Sequence, residues 1–169
     1  MKYTQRIRCE VCDGTALERL DNFPNFPVFM GCTSEVRGHD VLADMAWSIC
    51  SSCGLIQLAQ LLPLGLLYPV AHGSGVVGGT WRQHHAAFAR FLKQFQPTSI
   101  LEIGGSHGLL SVEYHRISDI PWHIVEPNPM PVPDCRATFT KGFFGADSRF
   151  EHGFDMVVHS HVFEHIYHP

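Results

Sequence analysis

The chain has 169 residues, of which 45% are hydrophobic and 17% charged, with a formal net charge of −4. These values predict a soluble globular protein of one ordinary domain, or of a small domain joined to part of another. The acidic balance argues against a nucleic-acid partner. No apolar run approaches the ~20 residues that a membrane helix needs, and the N-terminus lacks the apolar core of a signal peptide, so a cytoplasmic location is expected.

The first predicted domain, residues 1–62, contains two CxxC pairs. A two-residue spacer lets both sulfurs of a pair face one ion, and two pairs complete the tetrahedral shell that structural Zn²⁺ prefers. Buried thiols without a metal, or a single redox pair, are the alternatives, although a redox pair needs no second pair. The spacing therefore predicts a zinc ribbon with a scaffolding role, and its four ligands are Cys9, Cys12, Cys50 and Cys53.

The strands of this domain are expected around the second pair. Residues 47–50 alternate into it and residues 54–58 lead away from it, which predicts a hairpin with the metal at its turn. Residues 23–29 contain two prolines and are expected to form a loop or an edge strand, because proline cannot donate to a central ladder. Cys32 and Cys135 lie outside the paired pattern and are interpreted as small buried hydrophobic residues.

Residues 63–96 are predicted to connect two domains. Proline and glycine make 63–79 a loop, which could close over a ligand or serve as a plain linker. Thr80 and Gln83 fit a capping box, so a helix is expected to begin at Thr80 and to end before Pro97. Residues then recur at helical spacing, and we expect their side chains to pack on a sheet. The two histidines among them are expected at the edge of the core rather than as ligands. The residues are Trp81, His84, His85, Phe88, Phe91, Leu92 and Phe95.

Residues 97–169 have an α/β pattern that starts at a glycine-rich turn. A short apolar strand at 100–103 is followed by three glycines and by a helix at about 109–117. Glycines let a backbone approach a ligand closely, and a helix N-terminus offers unpaired N–H groups. The turn matches neither GxGxxG nor a phosphate-binding GK[ST] loop, so neither a dinucleotide nor a Walker-type site is predicted.

Two carboxylates indicate what the turn could bind. Further strands are expected at 122–125, near 137–140 and at 154–160. Glu126 directly follows the second strand, where it could accept both hydroxyls of a ribose; a solvated acid at a strand end is the alternative. Glu102 precedes the turn and suits an ammonium group. A zwitterionic amino acid at the turn and a ribose on Glu126 together predict S-adenosylmethionine.

Two motifs resemble those of a known family. Residues 101–108 (LEIGGSHG) resemble the first motif of class I S-adenosylmethionine-dependent methyltransferases, and 162–166 (VFEHI) resemble their motif after the fourth strand. Together with the CxxC pairs, nearly the whole chain is similar to the sugar C-methyltransferases with an N-terminal zinc-binding domain. This resemblance implies a zinc ribbon followed by a Rossmann-like sheet, with Zn²⁺ and S-adenosylmethionine as cofactors and a nucleotide-linked sugar as substrate, and with neither nucleic acid nor membrane as partner.

The resemblance also implies roles for individual residues. His165 would be the base that removes a proton next to a ketone, although a structural histidine at a helix start is the alternative. Tyr68 lies where the family has an active-site tyrosine. A metal site among His159, His161, His165 and His168 is a weaker alternative. The cofactor pocket would be formed by the glycines, with Glu102 near the ammonium and Glu126 on the ribose: Glu102, Gly104, Gly105, Gly108 and Glu126.

Two features depart from the family pattern. Ser106 and His107 replace its usual Asn-Asp pair. Members of the family have a seven-stranded sheet and a further C-terminal domain. In this chain, a strand order 3-2-1-4 would leave the fourth strand as an apolar edge. The chain, with its partial sheet at 97–169, is therefore expected to be a fragment that is incomplete as an enzyme. O- or N-methylation of another small metabolite, and a non-catalytic zinc-ribbon interaction module, are the alternative functions.

Overall fold

The computed structural model of the chain describes residues 3–28, 40–70 and 78–168. It divides into two compact units, Met1–Pro69 with Tyr167–Pro169, and Val70–Ile166. The segment that the sequence marked as a connector, 63–96, is therefore shared between the two units. No helix in the described part of the chain is long and apolar enough to cross a membrane.

The first unit contains two small antiparallel sheets. One has the strand order β2-β3-β4, and the other pairs β1 with β5. The expected hairpin is confirmed, because β3 and β4 pair Trp47 with Leu58 and Ile49 with Ile56. The elements are β1 (Thr4–Gln5), β2 (Leu17–Pro27), β3 (Leu42–Cys50), β4 (Ile56–Leu58), β5 (Gln60–Leu61) and a single helical turn, α1 (Leu64–Leu67).

Two expectations for this unit have different outcomes. The proline-containing segment 23–29 is an edge strand as far as it is described, since β2 pairs with β3 alone in its sheet. The loop predicted over 63–79 is wrong at its start, where α1 forms. Pro63 begins this turn with φ −56°, and its carbonyl accepts from the amide of Leu66 over 2.9 Å. Proline suits the start of a helix because its fixed φ is already helical. Residues 71–77, like Cys32, lie outside the described residues.

The second unit is a parallel four-stranded sheet with helices. Its strand order is β8-β7-β6-β9, which confirms the expected order 3-2-1-4. Ile103 pairs with Val125 on one side and with His159 on the other, so the strands end at one edge of the sheet. The elements are α2 (Gly79–Lys93), β6 (Ile100–Ile103), α3 (Leu109–His115), β7 (Trp122–Glu126), β8 (Thr138–Lys141), β9 (Met156–His159) and a 3-10 turn (Phe163–His165).

The core of the second unit lies where both longer helices cover the sheet. Tyr114, Ile100 and Ile124 have no exposed surface, and burial of such side chains is the main source of stability for a sheet of four short strands. The buried core residues are Ala89, Leu92, Ile100, Leu110, Tyr114, Trp122, Ile124 and Val158.

The start of α2 differs from the expected capping box. The helix begins at Gly79 with Gly78 as N-cap, and no side chain caps it. Gly78 adopts φ +87°, which a glycine tolerates without strain, so the chain enters the helix before Thr80. Thr80 is therefore the second helical residue, and the predicted capping bond with Gln83 is wrong.

The buried face of α2 is also narrower than expected. Ala89 and Leu92 are buried, whereas Phe91 and Phe95 are 51% and 59% exposed. The two phenylalanine rings instead contact each other edge to face, with centroids 5.1 Å apart. Helical periodicity identified the correct stripe of residues but overestimated its width.

Candidate metal centre and glycine turn

The four paired cysteines converge on one point in the first unit. Their sulfurs all lie within 4.8 Å of one another. Cys9 Sγ lies 3.5 Å from Cys53 Sγ, and Cys12 Sγ lies 3.6 Å from Cys50 Sγ. Zn–S bonds of ~2.3 Å in a tetrahedron require sulfurs about 3.8 Å apart. The cluster therefore has the dimensions to hold a metal ion.

Both CxxC pairs fold in the same way. The Cys9 carbonyl accepts from the amide of Asp13 over 2.9 Å, and the Cys50 carbonyl accepts from Gly54 over 2.8 Å. Asp13 and Gly54 each follow the second cysteine of a pair, with φ +56° and +78°. The sequence pointed to Gly54 as a turn residue, but it gave no sign of the equivalent role of Asp13, because a non-glycine residue rarely adopts this conformation.

The cysteine pKa values move in opposite directions. A hydrogen bond from the backbone of Cys53 lowers the pKa of Cys50 to about 6, and the backbone of Cys12 likewise lowers the pKa of Cys9. The backbone of Leu55 works to lower the pKa of Cys53, but the neighbouring sulfurs outweigh it and raise that pKa to about 12. Four thiolates so close together repel one another, and a bound cation removes that repulsion.

The glycine turn of the second unit links β6 to α3. Gly104 and Gly108 adopt φ +73° and +72°, the left-handed region that favours glycine. A Cβ at Gly104 would collide with the side chain of Val162, and one at Gly108 would collide with the sulfur of Cys135. These two glycines are thus required by the packing of the chain itself, as well as being available to a ligand.

Glu126 holds the turn from the end of β7. Its Oε2 accepts from the backbone N–H of Ser106 over 3.0 Å, and its Oε1 accepts from Asn128 over 3.0 Å. The residue is only 8% exposed. Each carboxylate oxygen keeps a further lone pair, since an ionised carboxylate offers about four acceptor positions. The structure therefore brings Glu126 and the glycine turn together, as the sequence predicted.

Glu102 lies beneath the same turn. It is 5% exposed, and its Oε2 accepts from the indole N–H of Trp122 over 2.8 Å. Burial raises the pKa of Glu102 to about 7, although the Trp122 hydrogen bond opposes this and the charge of Glu126 adds to it. An added Cβ at Gly105 would lie 2.8 Å from the carboxyl carbon of Glu102, so the absence of a side chain at Gly105 lets the acid sit against the turn.

The two predicted catalytic residues belong to different units. His165 ends the 3-10 turn that follows β9; its Nε2 lies 4.0 Å from Glu164 Oε1, and its side chain is 40% exposed. The same carboxylate oxygen lies 3.9 Å from Nδ1 of His161. Tyr68 is the C-cap residue of α1 in the first unit. His165 therefore stands after the fourth strand beside a carboxylate, at the carboxyl end of the sheet.

A contact at this end of the sheet was missed by the sequence analysis. His84 Nε2 lies 2.8 Å from the hydroxyl of Ser160, and the ring of Trp81 contacts that of His161 at 5.1 Å. The sequence placed the α2 aromatics on a helix face but carried no signal for their partner. The only indication in the sequence was the position of Ser160 directly after β9, because ligands bind outside the carboxyl ends of parallel strands.

The histidines near the C-terminus do not gather into a metal site. Among residues 3–28, 40–70 and 78–168, the four cysteines form the only group of three or more potential ligands close enough for an ion. His168 instead lies 3.0 Å from the carboxylate of Glu10 in the first unit.

A scan of the chain against protein-family models finds no matching family, and a search of curated proteins finds no matching protein. Function must therefore be inferred from the chemistry of the residues themselves.

Proposed function

We propose that the chain is the cofactor-binding part of an S-adenosylmethionine-dependent methyltransferase that methylates a carbon of a nucleotide-linked sugar. The observation that carries the proposal is the contact between Glu126 and the glycine turn. A carboxylate at the tip of the second strand accepts from Ser106 over 3.0 Å, so a ribose acceptor and a backbone cradle for an amino acid adjoin each other.

The strand order supports this proposal. A parallel sheet in the order β8-β7-β6-β9 has the arrangement of the first four strands of a Rossmann-like fold. In such sheets, ligands bind outside the carboxyl ends of the strands, near the point where the strand order reverses. That point lies here after β6, where the glycine turn begins.

The residues at this edge have the chemistry that the cofactor requires. The spare lone pairs of Glu126 could accept the two hydroxyls of a ribose, and a charge-assisted bond of this kind contributes ~1.5–3 kcal/mol. Glu102 accepts from Trp122 and lies close enough to the turn that a side chain at Gly105 would collide with it. Its nearness to the turn also suits the ammonium group of an amino acid.

His165 is the proposed base. Methylation at carbon needs removal of a proton next to a ketone, and an imidazole with a pKa near neutrality is the usual group for this task. Glu164 Oε1, 4.0 Å from Nε2 of His165, would stabilise the imidazolium that forms when the proton arrives. The bound cofactor supplies an electrophilic methyl group. Tyr68 is retained as a candidate active-site residue on the resemblance alone.

Zn²⁺ is the ion we propose for the cysteine cluster. Four thiolates in a tetrahedron are a typical structural zinc shell, and a small domain with so little apolar core gains stability from such an ion. A scaffold role for the first unit follows, with the metal fixing the β3–β4 hairpin.

Binding of S-adenosylhomocysteine to the full chain tests the proposal. Isothermal calorimetry should detect binding, and Glu126→Gln should weaken it roughly tenfold, because the amide cannot replace a charged acceptor. Glu151→Gln is the matched control, since Glu151 is exposed and lies outside the turn. A folded protein that binds neither S-adenosylmethionine nor S-adenosylhomocysteine would refute the methyltransferase lineage and favour a non-catalytic interaction module.

His165→Ala separates the C-methyl role from its alternative. Methylation of oxygen or nitrogen on another small metabolite needs much less help from a base. The test uses the intact enzyme of which this chain is proposed to be a part. A variant that keeps cofactor affinity and loses methyl transfer to carbon supports the proposed role, whereas unchanged transfer would remove His165 from the mechanism.

A further inference from the structure

The first unit contains a cavity that the proposed methyl transfer does not use. It has a volume of about 420 Å³ and is lined mainly by residues of β2 and β3, together with Gln5 of β1 and Gln60 of β5. Ligand clefts in proteins typically measure ~300–1,000 Å³, so the space is sufficient for a small metabolite.

A bulge in β2 arranges the side chains on this wall. Arg19 pairs with Ser48 and Asn22 pairs with Ala46, and the register shifts between Arg19 and Asp21. In a regular strand, residues three apart point to opposite faces. Because the bulge inserts one residue, Arg19 and Asn22 both line the cavity. Bulges that redirect side chains in this way are common beside binding sites.

The two arginines that line the cavity differ in whether their side chains are already paired. Arg6 is engaged, since its Nε donates to Glu10 over 2.9 Å and its guanidinium also donates to the carbonyl of Tyr167. The backbone of Arg19 belongs to the β2–β3 ladder, but its side chain makes no ion pair or hydrogen bond with any residue in the described ranges. Its guanidinium is an exposed cation on the wall of a cavity, and this group can bind phosphate through two parallel hydrogen bonds.

The rest of the lining combines apolar side chains with polar ones, of which only Asp44 is charged. Gln5 and Gln60 pair directly across β1 and β5, so their side chains lie on the same face of that ladder. The amide nitrogen of Asn22 donates to the carboxylate of Asp44 over 3.5 Å, and among the described residues no donor contacts its amide oxygen, which can therefore accept. Amides and a carboxylate provide both donors and acceptors, the combination that hydroxyl groups require.

We propose that this cavity binds a small, hydroxyl-rich molecule with a phosphate group, such as a sugar phosphate, with Arg19 on the phosphate and the amides of Gln5, Asn22 and Gln60 on the hydroxyls. The cavity lies wholly within the first unit. The proposal therefore does not depend on cofactor binding in the second unit.

Titration of the full chain with glucose 1-phosphate, inorganic phosphate and glucose tests the site. Glucose 1-phosphate should bind more tightly than either of the other two. Arg19→Ala should weaken its binding roughly tenfold or more, because a charge-assisted contact is lost. Arg8→Ala is the matched control: it removes a cation from the same unit whose guanidinium pairs with Asp13 and does not line the cavity.

Several results would overturn the proposal. They are the absence of binding by all three probes, equal binding of phosphate and glucose 1-phosphate, or an Arg19→Ala variant that binds as the unchanged chain does. Arg19→Ala should leave the fold intact, because the side chain of Arg19 is exposed and makes no hydrogen bond within the described residues. Affinity for S-adenosylhomocysteine should be unchanged in Arg19→Ala, so failure here and failure of the methyltransferase proposal can be distinguished.

Discussion

The indole of Trp122 donates a hydrogen bond over 2.8 Å to the carboxyl group of Glu102, a residue that is 5% exposed. The partners lie on neighbouring strands, beneath the turn that we propose for cofactor binding. A buried acid is tolerated when it is hydrogen-bonded, and it is most stable when neutral. The site therefore rests on a group that can gain or lose a proton near neutral pH.

Stability of the chain should depend on pH through Glu102. Burial raises its pKa from 4.5 to about 7, so between these values the folded state binds the proton and the unfolded state does not. The free energy of unfolding should therefore fall as pH rises through this range, by roughly 3 kcal/mol in all. Urea unfolding at several pH values measures this change in the free energy of unfolding.

The variant Glu102→Gln is the control for this dependence. Glutamine stays neutral at every pH and its carbonyl can still accept from Trp122. The fall in stability between pH 4.5 and 7 should be smaller in this variant. An identical pH profile in both proteins would mean that Glu102 does not titrate as described.

Gly104→Ala should destabilise the second unit. The residue adopts φ +73°, and the new Cβ would collide with Val162; the left-handed conformation alone costs ~1–2 kcal/mol for a residue with a side chain. Adding Val162→Ala should recover part of the loss by removing the collision. Gly153→Ala is the matched control, since open space surrounds that position, and thermal unfolding would compare all three. A harmless Gly104→Ala would mean that the turn can rearrange.

The narrow buried face of α2 leads to a contrast between Leu92, in the last turn of the helix, and Phe95, two residues after the helix ends. Leu92→Ala should cost ~2–5 kcal/mol because it leaves a cavity in a packed core. Phe95→Ala removes a larger side chain, but that residue is 59% exposed, so its loss should cost less than about 1 kcal/mol. Chemical denaturation measures both. Equal costs would indicate that Phe95 is covered in solution.

Metal removal should affect the first unit selectively. Purified protein should contain about one zinc per chain, and Cys50→Ser should abolish this content, because structural zinc needs its complete ligand shell. Cys135→Ser is the matched control, since its sulfur lies beside Gly108 and not in the cluster. Elemental analysis reads the content. A folded, metal-free protein of full stability would contradict the zinc proposal.

Local patterns predicted the elements whose signals lie within a few residues. The CxxC spacing identified the cysteine cluster, because two such pairs supply the four thiolates of a tetrahedral metal shell. The apolar strand at 100–103 matches β6, and the glycine turn follows it, with Gly104 and Gly108 at positive φ. The strand order β8-β7-β6-β9 agrees with the order 3-2-1-4 that the family resemblance implied.

Features that depend on distant contacts were not predictable. The α2 start was assigned to Thr80 because a capping box is a local signal, whereas the actual N-cap is Gly78. The contact between His84 and Ser160 joins residues far apart in the chain. The cavity beside Arg19 depends on a bulge in β2, and no residue type in that strand signals the extra residue.

The parallel ladder of β6 also has a consequence for the order of folding. Ile100 pairs with Trp122 on one side and with Met156 on the other, and the second partner is more than twice as far along the chain. Closing the longer loop costs roughly 0.8 kcal/mol more in chain entropy. We expect β7 to join β6 first and β9 to join last, so that pulse-labelled amide exchange protects Ile124 before Val158. The segment that carries His165 would then be among the last to reach its final position on a nascent chain.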